Sequence, residues 1–411
     1  MIIKDKIGYG YNDVTVLPDV ISSVKSRSEV NPYIDDNKIL PIFAAPMASV
    51  VSDENYMEFY NNNIIPVIPR NIAIDKRKLL MIKGIWISLS LTEFKDIFID
   101  NYIELKDFCD YHICIDIANG HMEYLYELCK KAKELAKDAT YDLTIMTGNI
   151  ANPETYKYIC DQCILSEIKF VDYIRLGIGG GSCCTTTSNV SCHYPQASLI
   201  NDTYLIKEHY KTLYENYKTY LPLIIADGGI RNYSDVIKAL ALGADYVMIG
   251  GLFGRCIESA GEKMLKIENN YINFKDIKNN YKKFIYKDNV WYGYFTEEYI
   301  QNSLDHAVSY DNSKDYLKQY TDLQKIGNII VKMFGMASAD GQISISGEKT
   351  KTAEGITKYI EVTETLYKWS ANMESFLRSA MSYCNALTLN DFIGKPKLIV
   401  NSINEINAVN K

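Results

Sequence analysis

The segment Gly177–Thr186 has the residue types best suited to chemistry, because it combines four glycines with two adjacent cysteines, Cys183 and Cys184. Glycine adopts positive φ values, so a glycine-rich loop can turn sharply and aim its backbone groups inward. A cysteine on such a loop, directly after a buried strand, is exposed and reacts once it is ionised to a thiolate. The segment predicts a nucleophilic cysteine. The alternative is a tight turn whose cysteines have no chemical role.

Two glycine pairs farther along the chain predict a phosphate site. Gly228–Gly229 follows Asp227, and Gly250–Gly251 follows the next apolar run. Backbone N–H groups of glycines at the ends of barrel strands are common phosphate ligands. Asp227 is placed to accept hydrogen bonds from two ribose hydroxyls, unless it only caps a helix. Together with the cysteine loop, these residues predict a pocket for a nucleoside monophosphate whose base faces the cysteine.

These residues need a scaffold that brings distant loops to one place, and eight short apolar runs predict it. Runs too apolar to alternate are typical of strands buried on both faces. Between some of them lie amphipathic helices, such as the one predicted from the 3–4 spacing of apolar residues over 122–136. Eight such repeats predict a (β/α)8 TIM barrel with its active site at the carboxyl ends of the strands, and the alternative is a doubly wound open sheet. The runs are Pro41–Ala45, Ile64–Ile68, Ile85–Leu89, His112–Ile117, Leu143–Met146, Val171–Leu176, Leu223–Ala226 and Tyr246–Ile249.

Residues 266–332 do not continue the repeat of strands and helices, because they are rich in Tyr, Asn, Lys and Asp and show weak periodicity. We interpret these residues, called the excursion, as an insertion after strand eight and its helix, within a single barrel domain spanning 1–411, and we expect a helix around Thr296–Leu304. The insertion serves as a lid or a subunit contact in this interpretation. A further helix is predicted across Met373–Tyr383.

The overall composition narrows the class of protein. The net charge of −7 and the pI near 5.5 argue against a nucleic-acid partner, which requires a basic surface. No apolar run is long enough for a signal peptide or a membrane span, so we predict a cytoplasmic protein without a membrane partner. The ten cysteines include one CxxC spacing, Cys160–Cys163, without a second pair, and there are five histidines. A zinc or redox site is therefore not expected.

Several segments together resemble the inosine monophosphate (IMP) dehydrogenase/guanosine monophosphate (GMP) reductase family, over about residues 8–265 and 333–395. The loop Gly179–Thr186 is similar to the signature of this family, with Cys184 in the nucleophile position. Other matches fall in the order of the family, and two of them, Ser26–Val30 and Asp116–Gly120, are closer to its reductase branch. The remaining matches are Thr144–Asn149, Tyr194–Gln196 and Phe334–Met336.

The resemblance implies a role for each matching position. Cys184 would attack C2 of the purine to give a covalent thioimidate, and Thr186 and Glu354 would relay a proton. The implied substrate is a purine nucleoside monophosphate. The residues implied to bind it are Ser182, Asp227, Gly228, Gly229, Gly250, Gly251, Gly335, Met336, Ala337, Lys351 and Gly355.

The resemblance also implies a nicotinamide cofactor, NADPH with NADH as the alternative, and a potassium ion. The potassium ligands would be the backbone carbonyls of Gly179, Gly181 and Cys184. A homotetramer is implied, in which Ser26, Arg27 and Ser379 reach the cofactor of a neighbouring subunit. The implied cofactor-binding residues are Ser26, Arg27, Arg70, Asp116, Ile117, Ala118, Ile178, Gly179, Met336 and Ser379.

Two features favour a reductase over a dehydrogenase. Most dehydrogenases of the family carry a regulatory pair of repeats between strands two and three, and the segment 70–84 leaves no room for it. Their flap also supplies an Arg–Tyr pair that activates water, whereas the segment 337–353 contains neither residue type. We therefore expect NADPH-dependent reductive deamination of GMP, or of a related guanine nucleotide, to IMP and ammonia. The alternatives are NAD-dependent oxidation of IMP and a nucleotide-binding barrel without turnover.

The sequence also departs from the family pattern at several positions. Met47 is followed by Ala48 instead of aspartate, and the His-Lys pair after strand two is Pro69–Arg70. The arginine that usually follows the cysteine signature is Thr187, which puts the cation site in doubt. Lys351 and Ala353 replace an arginine and a serine near Glu354. A modified purine or a deoxynucleotide is therefore a further substrate to consider.

Overall fold

Eight parallel strands form the centre of the structure, and their order around the sheet follows the order of the chain. The structure is a computed structural model that describes residues 7–102, 105, 109–139, 141–267, 270–273, 283–287, 290–294 and 324–402. A short strand, β1 (Val14–Val16), precedes the sheet. The eight strands are β2 (Ile42–Ala44), β3 (Ile65–Pro66), β4 (Ile87–Leu89), β5 (Asp110–Ile115), β6 (Asp142–Ile150), β7 (Tyr173–Leu176), β8 (Leu223–Asp227) and β9 (Tyr246–Ile249).

The sheet closes on itself between β3 and β4, the two strands at its ends. Ile68, just after β3, pairs in parallel with Ile87 of β4. The amide of Ile68 donates to the carbonyl of Trp86 at 2.9 Å, and the amide of Ser88 donates to the carbonyl of Ile68 at 2.8 Å. Each of the eight predicted apolar runs overlaps one of these strands, so the predicted (β/α)8 barrel is confirmed.

Side chains along each barrel strand alternate between the interior and the surrounding helices. Phe43, Trp86, Ile225 and Met248 belong to a buried cluster inside the barrel. Positions two residues farther along a strand point the same way, so the layer above this cluster contains polar groups at the carboxyl ends. Arg175 and Asp227 occupy it, which places charged side chains on an apolar floor.

The helices that surround the barrel begin with local capping signals. Ser90 and Glu93 form a reciprocal capping box, and the side chain of Asn152 accepts a hydrogen bond from the amide of Glu154. The stripe predicted over 122–136 forms α4. The helices up to β9 are α1 (Tyr56–Asn61), α2 (Ile74–Met81), α3 (Leu91–Lys95, continued by a π-helical turn Asp96–Asp100), α4 (Glu123–Ala139), α5 (Pro153–Ser166), α6 (Thr186–Val190), α7 (Gln196–Leu213) and α8 (Tyr233–Ala241).

The helix that completes the ring does not follow β9 directly, which corrects the predicted position of the insertion. Only a 3-10 turn, Phe253–Arg255, lies between β9 and the excursion. The later helices are α9 (Ala339–Ser346), α10 (Leu366–Tyr383) and α11 (Leu389–Phe392). Trp369 of α10 packs on Tyr233 of α8, with ring centroids 5.5 Å apart, and Ser370 donates to the carbonyl of Asn62 after α1 at 2.7 Å. Helix α10 therefore fills the eighth place of the ring, and it includes the predicted helix at Met373–Tyr383.

The described parts of the excursion form antiparallel strands, which the weak periodicity of the sequence did not predict. The strands are β10 (Lys263–Ile267), β11 (Asn270–Asn273), β12 (Lys283–Lys287), β13 (Val290–Tyr294) and β14 (Gln324–Phe334), in the order β11-β10-β14-β13-β12. Strand β15 (Thr357–Glu361), which lies beyond the excursion in the chain, also pairs with β14. The helix predicted at Thr296–Leu304 lies outside the described residues. The long strand β14 joins this sheet to the chain that continues at Gly335.

The two ends of the described chain pair with each other. Strand β16 (Leu398–Val400) pairs antiparallel with β1, so Val14 lies opposite Val400. Within the part of the chain that the structure describes, no helix is long and apolar enough to cross a membrane.

Candidate active site

A cavity of about 560 Å³ opens at the carboxyl ends of the barrel strands. Its lining combines the ends of β5, β7, β8 and β9 with the cysteine loop and with two segments beyond the barrel, around Gly335 and around Glu354. Loops at this face can be shaped without disturbing the barrel core, which is why it is the usual site of function in the fold.

The cysteine loop, residues 177–185, is shaped by glycines that no other residue could replace without strain. Gly177 has φ of +126° and Gly179 has φ of +76°. A β-carbon at position 179 would lie 1.9 Å from the hydroxyl oxygen of Thr187. The carbonyl of Gly180 accepts from the amide of Gly229 at 2.9 Å, which fixes the loop to the end of β8.

Cys184, Thr186 and Glu354 form one hydrogen-bonded chain. The Cys184 thiol donates to Oγ1 of Thr186 at 3.2 Å, and this hydroxyl donates to Oε2 of Glu354 at 3.2 Å. All three side chains line the cavity and are half-buried. A proton on the thiol therefore has a path to a carboxylate through one hydroxyl, which is the arrangement that activates a nucleophile.

The segment that carries Glu354 is held against the cysteine loop by backbone hydrogen bonds. Cys184 and Gly355 form an antiparallel bridge, and the amide of Thr185 donates to the carbonyl of Glu354 at 3.1 Å. The amide of Ile356 donates to the carbonyl of Cys183 at 2.9 Å. The position of the carboxylate is thus set by the backbone, although 168 residues separate Glu354 from Thr186.

The two adjacent cysteines differ in environment. Cys183 is 3% exposed, and burial raises the pKa of its thiol, whereas Cys184 is half-buried and faces Thr186. A buried thiol with a raised pKa forms little thiolate at neutral pH and reacts slowly. The geometry favours Cys184 as the reactive cysteine.

Four charged groups and one amide form a network across the floor of the cavity. The guanidinium of Arg175 lies 3.4 Å from Asp116 and 3.7 Å from Asp227. The second oxygen of Asp116 accepts from Arg70 at 3.2 Å. Asn149 donates to Asp227 at 2.8 Å and to the carbonyl of Gly177 at 2.7 Å, and so ties the network to the cysteine loop.

Burial and charge act in opposite directions within this network. Burial raises the pKa of Asp227, and the opposing effects of Arg175 and Asn149 only partly offset it. Burial alone would lower the pKa of Arg175, but nearby anionic groups, Asp116 and Asp227 among them, hold it above its ordinary value. The cation therefore stays charged in the barrel, beside the carboxylates of Asp116 and Asp227.

Most of the residues predicted for the site lie together in the cavity wall. The lining includes Cys184, Thr186 and Glu354, and from the predicted substrate-binding set Ser182, Asp227, Gly228, Gly229, Gly250, Gly251, Gly335, Met336, Ala337 and Gly355. From the predicted cofactor and metal sets it includes Asp116, Ile117, Ala118, Ile178, Gly179, Gly181 and Met336.

Five predicted residues do not line the cavity. Lys351 is exposed on the surface, where its amide donates to Gln342 at 2.8 Å. Ser26 and Arg27 are exposed, and Arg27 donates to the half-buried Ser379 at 3.4 Å. Arg70 does not line the cavity but donates a hydrogen bond to Asp116, which does. Lys351 lies outside because this part of the chain enters the cavity wall at Glu354, three residues farther along.

Several cavity residues were missed by the sequence reasoning. Arg175 could have been suspected, since a charged residue in a buried apolar strand usually has a partner at a functional site. Asn149 ends the motif Thr144–Asn149, but the motif predicts no role for its side chain. Arg255 and Lys358 carried no sequence signal, because they lie after β9 and on β15 at positions that match no motif of the family. The other missed lining residues include Met47, Cys183, Arg231, Met333 and Ile360.

The CxxC pair does not form a second reactive centre. Cys160 and Cys163 are buried in α5, and burial raises the pKa of Cys163 to about 11 and that of Cys160 further. Among the described residues, no group of three His, Cys, Asp or Glu side chains is placed to hold a metal ion.

Comparison with known proteins identifies the family. A sequence profile described as the IMP dehydrogenase/GMP reductase domain matches residues 103–319, just over half of the chain. The chain is 29% identical to the GMP reductase of Caenorhabditis elegans over 296 residues, which cover 66% of this chain and 73% of that protein. It is 27% identical to the GMP reductase of Shigella boydii serotype 18 over 287 residues, which cover 64% and 76%. Because this profile matches more than half of a chain that also forms the barrel and the cysteine loop, the chain belongs to the IMP dehydrogenase/GMP reductase family of purine-nucleotide oxidoreductases.

Proposed function

We propose that the protein catalyses the NADPH-dependent reductive deamination of GMP, or of a closely related guanine nucleotide, to IMP and ammonia. The observation that carries this proposal is the hydrogen-bonded chain from Cys184 through Thr186 to Glu354 inside the cavity. A nucleotide-binding barrel without turnover would need none of these three groups. Their joint placement therefore favours catalysis over binding alone.

The chemistry requires a nucleophile and a proton donor at the same carbon. C2 of guanine is an amidine carbon, which a soft thiolate attacks more readily than a hydride does. Addition of the Cys184 thiolate to C2 forms the carbon–sulfur bond, and the exocyclic amine leaves as ammonia once it is protonated. Glu354, which receives the thiol proton through Thr186, can return a proton to that amine. The product of this first half is a thioimidate between Cys184 and the purine.

The second half replaces the lost amine by hydrogen. When bound, the reduced nicotinamide cofactor supplies the hydride that adds at C2, and Cys184 leaves as a thiolate to release IMP. Asp116, Ile117 and Ala118 are suited to bind this cofactor because they line the cavity at the end of β5. Arg70 and Arg175 hold the carboxylate of Asp116 in one orientation. NADH in place of NADPH is the alternative cofactor.

Reduction rather than hydrolysis is supported by the flap between Ala337 and Ala353. This segment contains helix α9 and has no arginine and no tyrosine, so it lacks the pair that activates water in dehydrogenases of the family. A thioimidate that meets no activated water survives to accept a hydride. Oxidation of IMP with NAD remains the alternative function, since the cysteine chemistry is common to both reactions.

A potassium ion fits the cysteine loop. The hydroxyl oxygen of Thr187 is buried, has no hydrogen-bond partner in the described part of the chain, and lies against Gly179. Such an oxygen can join the backbone carbonyls of Gly179, Gly181 and Cys184 as a ligand of a monovalent cation. The ion would stabilise the loop that carries the nucleophile. Thr187 thus offers an oxygen ligand where the family usually has an arginine.

One assay separates the three functions. The full-length protein is incubated with GMP and NADPH, and both the loss of absorbance of the reduced cofactor and the release of ammonia are followed. We expect equal amounts of oxidised cofactor and ammonia. Reduction of NAD by IMP without ammonia formation from GMP would establish a dehydrogenase. Nucleotide binding without either reaction, also when deoxyGMP is supplied, would establish a nucleotide-binding barrel without turnover.

The excursion is proposed to be a lid or a subunit contact within one barrel domain, and its removal tests this. Deletion of residues 275–325 removes β12 and β13 but leaves β14 paired with β10 and β15. Because β14 leads into Gly335, we expect weaker GMP binding or a loss of the proposed homotetramer. Light scattering and calorimetry measure both. A variant with unchanged mass, affinity and activity would show that the excursion has neither role.

A further inference from the structure

Among the cations of the cavity wall, Arg255 and Lys358 are not paired with a carboxylate of the cavity. Arg255 and Lys358 line the cavity, and neither forms an ion pair within the described part of the chain. The three carboxylates of the cavity are engaged elsewhere, Asp116 and Asp227 with Arg175 and Glu354 with Thr186. Cations that face a cavity without a partner indicate an anionic group of the ligand.

Both cations lie beside the glycine pair that follows β9. The turn Phe253–Arg255 begins one residue after Gly250–Gly251, with Leu252 as its N-cap. A β-carbon on Gly251 would lie 3.1 Å from the hydroxyl of Ser182 and 3.8 Å from Met333. Met333 pairs in register with Lys358 across β14 and β15, so the lysine lies on the same side of the sheet as Met333. Lys358 is also close enough to Cys183 for its charge to lower the pKa of that thiol, against the larger effect of burial.

The backbone alone offers fewer phosphate donors than the glycine pairs suggest. The amide of Gly229 already donates to the carbonyl of Gly180 at 2.9 Å. The remaining amides and the Ser182 hydroxyl are neutral donors, whereas a phosphate monoester carries close to two negative charges at neutral pH. Side chains can add the positive charge that these donors lack. Arg231 also lines the cavity, but its charge acts on Asp235, whose pKa it lowers against the larger effect of burial, and its backbone amide donates to the same carboxylate at 2.9 Å.

We propose that Lys358 and Arg255 form a cationic clamp on the phosphate of the nucleotide, so that the protein selects a phosphorylated nucleoside by charge as well as by backbone hydrogen bonds. The inference rests on the proposed function, since it assumes a purine nucleoside monophosphate in this cavity. Glu364 lies near Arg255 and lowers the net positive charge there. Lys358 is therefore the stronger member of the clamp.

The test measures binding without turnover, so it does not depend on which reaction the protein catalyses. Dissociation constants for GMP and for guanosine are determined by calorimetry for the wild type, Lys358→Ala, Arg255→Ala and the double variant. We expect Lys358→Ala to weaken GMP binding roughly 10- to 100-fold, the double variant to weaken it further, and guanosine binding to stay within about twofold. Lys358→Arg should restore most of the affinity, and higher salt should weaken GMP binding to the wild type more than to the double variant.

A matched control and two outcomes decide the result. Lys349→Ala removes an exposed lysine from the same segment and should leave GMP binding unchanged. Equal GMP affinity of the wild type and the double variant would overturn the clamp, and so would an equal loss for guanosine. If the wild type binds IMP but not GMP, the proposed reaction fails, and the same variants tested with IMP still decide the clamp.

Discussion

Cys184→Ser is expected to abolish turnover while nucleotide binding persists. The serine hydroxyl is a far weaker nucleophile than a thiolate, and burial raises the pKa of Cys183, the other thiol of the cavity, so that it forms little thiolate. The rate should fall by roughly 10⁴-fold or more, as for other enzymes that lose a covalent nucleophile. NADPH oxidation in the presence of GMP measures the rate, and calorimetry with GMP measures binding. The GMP dissociation constant should stay within a few-fold of the wild type, because the phosphate and ribose contacts are untouched.

Cys183→Ala is the matched control for this prediction. Cys183 contributes its backbone carbonyl to Ile356, which alanine retains, and its thiol is buried. The variant should keep substantial activity, with a modest loss of stability from the small cavity that the substitution leaves. The reverse pattern, an active Cys184→Ser and an inactive Cys183→Ala, would move the nucleophile by one residue.

The barrel and the core of its site follow from local sequence patterns. Each barrel strand is a short run of apolar residues bounded by turn residues, and a parallel barrel needs such strands because both faces are buried. The glycines at 177–181, 228–229 and 250–251 come directly after strands, and the carboxyl ends of parallel strands meet at one face. The sequence could therefore predict that the cysteine loop and Asp227 share one cavity.

The polar network on the cavity floor is harder to predict, because it depends on pairing between strands distant in the chain. Arg175 becomes informative only when β5, β7 and β8 are known to be neighbours, which places Asp116 and Asp227 within reach of its guanidinium. Arg70, which is predicted to bind the cofactor, donates to Asp116 in the structure. Contacts of this kind depend on the closed barrel and not on any single segment.

The sheet of the excursion was missed for a similar reason. Strand β14 pairs with β10 on one side, some 60 positions earlier in the chain, and with β15 beyond the flap. Antiparallel pairing over such distances leaves no short-range turn signal. This sheet helps to position the site, because β14 leads into Gly335–Met336 and β15 begins shortly after Glu354–Gly355. Both arms of the flap are therefore anchored in one sheet, which fixes where Glu354 can lie.

Glu354→Gln is expected to slow the release of ammonia severely and to leave GMP binding nearly unchanged. The amide keeps the size of the side chain and can still contact Thr186, but it cannot take up and return a proton. Loss of a positioned proton donor typically lowers the rate by about 10²–10⁴-fold. Without NADPH the reaction stops at the thioimidate. The ammonia released in a single turnover under this condition therefore measures this step directly. The GMP dissociation constant should change by no more than a few-fold.

Glu348→Gln is the control, because Glu348 is an exposed carboxylate on the same flap and its side chain is remote from the Cys184–Thr186 pair. It should match the wild type in both ammonia release and GMP affinity. Thr186→Val removes the hydroxyl that joins Cys184 to Glu354, so it should slow the same step as Glu354→Gln, and the double variant should be little slower than either single one. A Glu354→Gln variant that binds GMP poorly but turns over normally at saturation would instead make Glu354 a substrate anchor, and the proton path through Thr186 would be wrong.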